Sequence, residues 1–128
     1  MLFRSTKAFV QRIHKLVFEV DGPDFDLLGM HSSMAQFCIK YNIAAKNDAV
    51  EQITNQMIEQ VLPNYRPLTV RLTHSEQNNV TALDFMIRDI SSSPIQDIDQ
   101  SLMIPVKELS KGIVEEPTTL GFRVKIIV

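Results

Sequence analysis

Residues 47–62, with the sequence NDAVEQITNQMIEQVL, form the stretch of the chain that decides the fold. Apolar side chains recur in it at steps of three and four residues, which is the spacing of one face of an α-helix. The members of this stripe are Val50, Ile53, Met57, Ile58 and Val61. Asn47 or Asp48 can cap the helix, and Pro63 ends it because proline has no backbone N–H to donate. We therefore predict a long amphipathic helix around which the other elements pack.

Two polar residues beside this stripe define a candidate site. Glu51 and Asn55 are four residues apart, so their side chains share one edge of the helix. A carboxylate and a carboxamide placed in this way can line a pocket. The alternative is a solvent-exposed pair, and Asp48 with Glu51 also matches the capping-box pattern that stabilises the start of a helix. The spacing alone leaves both interpretations open.

Composition and charge limit the classes of function. The chain has 128 residues, enough for one domain with a hydrophobic core, and its formal net charge of −2 gives no basic surface for nucleic acid. No apolar run reaches the roughly 18 residues that a membrane helix needs. The single cysteine, Cys38, cannot form an internal disulfide, which is typical of the reducing cytoplasm. His14, His31 and His74 lack the spacing of metal ligands, so no metal site is predicted.

The chain before the central helix predicts two helices and one strand. Apolar residues are interspersed with basic and polar ones over 2–13 in the pattern of a short amphipathic helix. The abrupt start of this helix suggests a piece of a longer chain. Residues 16–20 have strand composition and lead into a Gly-Pro turn. A second helix is predicted to begin at Ser32 or Ser33, either of which can cap it, and to end near Tyr41.

The chain after Pro63 predicts strands joined by turns. Alternating apolar residues indicate a hairpin, a loop over 89–100 interrupts the pattern, and proline and glycine bound a short helix. In chain order these elements are strand 68–73, strand 80–88, helix 105–110, strand 113–116 and strand 122–128. The order predicts an α+β, two-layer sandwich in which a mixed, mainly antiparallel sheet carries its helices on one face.

This order and several local strings, over about residues 30–128, resemble the GHKL-type ATP-binding fold of histidine kinases and anti-sigma-factor kinases. Glu51-Gln52-Ile53-Thr54-Asn55 has the form of that family's Glu-x-x-x-Asn box, and Asp89 matches the aspartate that follows the hairpin. The resemblance implies that Glu51 is the base that activates a hydroxyl or water. It likewise implies that Asn55 is the magnesium ligand and that Asp89 receives the adenine amino group.

The sequence departs from that family where phosphates would bind. Ser91 and Ser93 stand in place of the two glycines of the Asp-x-Gly-x-Gly motif, and residues 100–104 contain no glycine where a glycine-rich lid is expected. Glycine allows a backbone to approach phosphates closely and to take positive φ at no steric cost. We therefore predict no catalytic residue and no cofactor, with Glu51, Asn55 and Asp89 as a vestigial nucleotide- or ligand-binding set.

A second resemblance lies at the start of the chain. Residues 4–13 are similar to the closing helix of ATP-binding subunits of polar amino-acid ABC transporters. That likeness implies two parts: residues 1–15 as the tail helix of a preceding cassette, and residues 16–128 as an appended GHKL-like domain. The cassette's own phosphate loop is absent from these residues.

Three hypotheses about function follow. The first is a non-catalytic regulatory or interaction domain at the C-terminus of a bacterial ABC transporter ATPase for amino-acid uptake. Its expected partners are the cassette, the permease through the parent chain, and a second copy of itself, at the cytoplasmic face of the membrane without insertion. The second is a diverged anti-sigma-factor-type serine kinase using ATP and magnesium. The third is a free-standing adaptor, which the sequence upstream of Met1 would distinguish from the first.

Overall fold

The computed structural model describes residues 12–63, 65, 67–87, 98–118 and 121–128. Within them the chain forms five strands and three α-helices, in the order β1 (Ile13–Val20), α1 (Leu27–Lys40), α2 (Asn47–Gln56), β2 (Leu68–Ser75), β3 (Val80–Ile87), α3 (Ile104–Leu109), β4 (Gly112–Pro117) and β5 (Phe122–Ile127). Asp89, Ser91, Ser93 and residues 2–11 of the predicted first helix lie outside the described residues. Residues 13–15, which the sequence assigned to the end of that helix and to the cassette tail, begin β1.

The strands form one sheet in the order β1-β2-β3-β5-β4. Every neighbouring pair of these described strands is antiparallel. The α+β class and the hairpin of β2 and β3 are therefore confirmed, although the described sheet contains no parallel pair. Asn79 closes the hairpin turn with a φ of 52°, a conformation that asparagine tolerates better than most residues.

One face of the sheet is apolar and carries the helices. The alternation along each strand places every second side chain on this face, where the residues of the three inner strands are almost fully buried. These residues join the buried side chains of the helices in a single core cluster. The strand members of that cluster are Val20, Leu68, Val70, Leu72, Leu83, Phe85, Ile87, Phe122, Val124 and Ile126.

The central helix is confirmed, with two changes in detail. A 3₁₀ turn at Ala44–Lys46 runs directly into α2, so neither Asn47 nor Asp48 caps it and the predicted cap is wrong. Beyond Gln56 the helix continues as one π-helical turn over Met57–Val61, in which the Leu62 N–H donates to the Met57 carbonyl at 2.7 Å. All five predicted stripe residues are buried.

The second helix begins five residues before the predicted Ser32, at Leu27. Asp26 is its true cap, because a carboxylate oxygen of Asp26 accepts from the Gly29 N–H at 2.9 Å. A Cβ atom on Gly29 would collide with that carboxylate, so glycine permits the close approach. Gly29 has low helix propensity, so the sequence does not indicate that the helix begins here. The same glycine is part of the cap.

The outer face of the sheet carries a charged network centred on Asp84. The Asp84 carboxylate is 2% exposed and lies 2.7 Å from Arg123 Nε and 3.4 Å from Arg71 Nη2. Arg123 Nη1 is also 3.5 Å from a carboxylate oxygen of Glu116. The network therefore links β2, β3, β5 and β4 on the side of the sheet opposite the helices.

Within the described residues, no helix has the length and apolar character needed to cross a membrane.

Candidate functional site

Two of the three residues predicted to form the site, Glu51 and Asn55, lie on α2. Glu51 is exposed on α2, whereas Asn55, one turn later, is half-buried. No described contact joins the two side chains. Asp89 lies outside the described residues, so the contacts that can be described are those of Asn55 and the groups around it.

Asn55 lines an open cleft between α2, its π-helical extension and α3. The cleft has a volume of about 290 Å³ and is lined by Gln52, Asn55, Gln56, Glu59, Gln60, Pro105 and Leu109. The lining contains four carboxamides, one carboxylate and no cationic side chain among the described residues. Because a triphosphate needs positive charge or backbone N–H groups for neutralisation, this lining does not suit phosphate.

The carboxamide of Asn55 is already engaged by a histidine. His31, on α1, places its Nε2 atom 2.7 Å from Asn55 Oδ1. A carbonyl oxygen only accepts, so Nε2 carries the hydrogen of this bond. The bond joins α1 to α2 through the side-chain oxygen of Asn55.

The segment before α3 is held against α2 as well. Residues Gln100–Met103 form a 3₁₀ turn, and Gln56 Nε2 donates to the Leu102 carbonyl at 2.9 Å. Asp99 caps this turn by accepting from the Ser101 N–H at 2.9 Å and from its hydroxyl at 2.6 Å. These hydrogen bonds to Ser101 lower the pKa of the Asp99 carboxyl. Residues 100–103, where the sequence lacks the glycines of a lid, are thus a capped turn bonded to the central helix.

The His31–Asn55 bond should be measurable by a double-mutant cycle. We expect His31→Ala and Asn55→Ala each to lower the free energy of unfolding by about 1 kcal/mol, since either change leaves a half-buried partner unpaired. The double variant should be less destabilised than the sum, with a coupling of about 0.5–1.5 kcal/mol. Chemical denaturation of the four proteins measures it, and strictly additive losses would show that the two side chains do not interact.

A second polar cluster, which sequence reasoning missed, lies at the other end of the helix layer. His74 on β2 is opposite Thr81 on β3, and both are buried. His74 Nδ1 is 2.9 Å from the Thr81 hydroxyl oxygen, and Lys46 Nζ donates to the same oxygen at 3.2 Å. His14 pairs with His74 in the register of β1 and β2 and stacks on Tyr41, with ring centroids 3.8 Å apart. The signal available in the sequence was a histidine at an inward position of an alternating strand.

Burial and neighbouring cations set the protonation of this cluster. Burial lowers the pKa of His74, and nearby Lys46 and His14 lower it further, while Glu76 opposes the shift. The pKa of Lys46 is lowered by burial and by Lys111. Cys38 is fully buried, and that burial raises the pKa of its thiol, which opposes use of the sulfur as a nucleophile. The surroundings of His74 therefore favour its neutral form in the folded protein.

His74 should make the stability of the protein depend on pH. In the unfolded chain a histidine titrates near 6.5, whereas folded His74 resists protonation. The contribution of His74 to the free energy of unfolding should be steady above about pH 7 and fall as the pH drops through 6.5 toward the lowered pKa of the folded state, because the unfolded chain then binds the extra proton. His74→Asn should reduce the slope between about pH 7 and 5.5. Equal slopes for the two proteins, in urea titrations at matched pH values, would contradict this assignment.

No group of three histidine, cysteine, aspartate or glutamate side chains among the described residues could hold a metal ion. Comparison with known proteins gives no match to a protein-family model and no match to a curated protein.

Proposed function

We propose that the chain is a non-catalytic regulatory or interaction domain. The observation that carries the proposal is the state of Asn55: its side-chain oxygen accepts from His31, in a cleft whose described lining has no cation. Glu51, the only residue with the chemistry of a base in the resembling motif, is exposed and does not line that cleft. A site of this kind binds or senses rather than transfers phosphate.

The cleft beside Asn55 suits a small, uncharged or zwitterionic ligand with several hydrogen-bonding groups. Carboxamides donate and accept, and Glu59 adds one negative charge that can face an ammonium group. Pro105 and Leu109 supply an apolar wall on α3. A ligand that contacts both α2 and α3 would act by binding one arrangement of these two helices more tightly than another.

Binding is tested by a thermal-shift and calorimetry screen of the wild-type chain against amino acids and nucleotides. The Gln56→Ala variant tests the location, because Gln56 lines the cleft and holds the 100–103 turn. Glu51→Ala is the matched control, since Glu51 is on the same helix but outside the cleft. A ligand whose affinity falls in Gln56→Ala and not in Glu51→Ala supports the proposal, and a ligand insensitive to both contradicts this location.

We propose further that the domain belongs to an ABC transporter ATPase for amino-acid uptake and biases its cycle through contacts with the cassette and permease at the cytoplasmic face. This part rests on the similarity of residues 4–13 to the closing helix of such subunits. The test is to measure ATP hydrolysis and amino-acid uptake by the parent transporter with and without residues 16–128. Unchanged rates after deletion would reject the regulatory role.

The second candidate is a diverged anti-sigma-factor-type kinase. The position of Asn55 in a cleft between the long helix and the short third helix favours it, as does the order of elements. Millimolar Mg-ATP should then stabilise the fold by mass action, and Glu51→Ala should abolish turnover without unfolding the protein. Absence of a thermal shift with Mg-ATP would exclude this candidate.

A further inference from the structure

The backbone groups of β1 alternate between the side that faces β2 and the opposite edge of the strand. The Arg12 carbonyl accepts from the Glu76 N–H at 3.1 Å, so Arg12 and every second residue after it direct their backbone groups toward β2. The alternate residues, Ile13, Lys15, Val17 and Glu19, therefore direct their N–H and C=O groups away from β2. Among the described strands none pairs with this edge.

We propose that this edge pairs with the same edge of a second copy of the chain, so that two sheets join into one. Antiparallel pairing about a two-fold axis through Val17 places Val17 opposite Val17 of the second copy. In this register Lys15 of each chain lies opposite Glu19 of the other. All of these are residues whose backbone groups point away from β2, so each opposed pair can exchange two hydrogen bonds.

The side chains of β1 are self-complementary in this register. The two Lys15–Glu19 contacts pair opposite charges, and the two Val17 side chains, each 53% exposed in the single chain, would pack on each other. Glu19 Oε1 already accepts from the Thr69 hydroxyl at 2.6 Å, which orients the carboxylate and leaves its second oxygen for an ammonium group. Moving the two-fold axis to Leu16 would place Lys15 opposite Val17 and remove the charge pairing.

The helix-bearing face supports the same register. Leu16 and Phe18 are half-buried at this end of the sheet and pack against the core. The proposed pairing puts Leu16 of one chain opposite Phe18 of the other and covers both. By contrast, the opposite edge strand β4 has two glutamates and ends in Pro117, features that disfavour edge pairing.

The experiment uses charge reversal in the full chain, with sedimentation equilibrium as the readout. We expect the wild-type chain to dimerise. Lys15→Glu and Glu19→Lys should each weaken self-association by about tenfold or more, because each places like charges opposite one another twice. Thermal melts of both variants check that they remain folded, which matters because Glu19→Lys also removes the bond from Thr69.

Mixing the two variants gives the decisive result. A Lys15→Glu chain opposed to a Glu19→Lys chain has opposite charges at both contacts, so an equimolar mixture should recover the wild-type dissociation constant to within a few-fold. Val17→Pro, which removes an outward N–H without removing a bond to β2, should abolish the mixed dimer. A wild-type chain that stays monomeric at millimolar concentration would overturn the proposal. Single variants that associate like the wild type, or a mixture that fails to recover, would also overturn it.

Discussion

Replacing Asp84 by alanine is expected to lower the free energy of unfolding by about 2–4 kcal/mol, because it leaves two arginines beside a buried position without their carboxylate. Asp84 is 2% exposed, and its oxygens lie 2.7 Å from Arg123 Nε and 3.4 Å from Arg71 Nη2. We expect a smaller loss of stability than for a fully buried ion pair because both arginine side chains are partly exposed, 29% for Arg71 and 27% for Arg123. Urea unfolding at neutral pH measures the difference.

The matched control for Asp84 is Glu116→Ala. Glu116 contacts the same arginine, Arg123, but at 3.5 Å and with a side chain that is 49% exposed. Exposed ion pairs of this kind contribute about 0–1 kcal/mol. A loss in Glu116→Ala as large as that in Asp84→Ala would show that burial does not set the strength of the network.

Replacing Phe85 by alanine should destabilise the fold by about 3–5 kcal/mol, through lost apolar burial and the cavity left behind. Phe85 is fully buried on β3, between Val70 on β2 and Val124 on β5, and faces the helix layer. Because the three inner strands and the helices share one core cluster, little of the surrounding structure can collapse into the space.

Val114→Ala is the control for Phe85. Val114 lies on the edge strand β4, on the outer face, and is 49% exposed. Its truncation should change the free energy of unfolding by no more than about 0.5 kcal/mol. A Phe85→Ala protein as stable as Val114→Ala would contradict the placement of β3 at the centre of the core.

The periodic elements were predictable from sequence because their apolar patterns are long. The stripe from Val50 to Val61 and the alternation in β2, β3 and β5 each repeat several times, so local exceptions do not obscure them. The start of α1 was not predictable, because Gly29 weakens helix propensity while its missing side chain admits the Asp26 cap. The π-helical turn at Met57–Val61 was not predictable either, because the apolar residues in it keep the spacing of an ordinary helix.

The shared helix edge of Glu51 and Asn55 was predictable, but the surroundings of the two side chains were not. The edge of α2 beside Asn55 does line a cleft, whereas Glu51 on the same edge is exposed. The hydrogen bond from His31 to Asn55 joins residues 24 positions apart and depends on how α1 packs on α2. The His74–Thr81 pair likewise depends on the hairpin register, which the predicted strand bounds do not fix.

The most direct test of a non-catalytic cleft is calorimetric titration of the wild-type chain with Mg-ATP. Because Asn55 is held by His31 and the described lining of the cleft has no cation, we expect no binding at up to millimolar Mg-ATP, and no phosphate release in the same solution. Binding at micromolar concentration that His31→Ala strengthens and Asn55→Ala abolishes would contradict the account, since it would show Asn55 holding the metal.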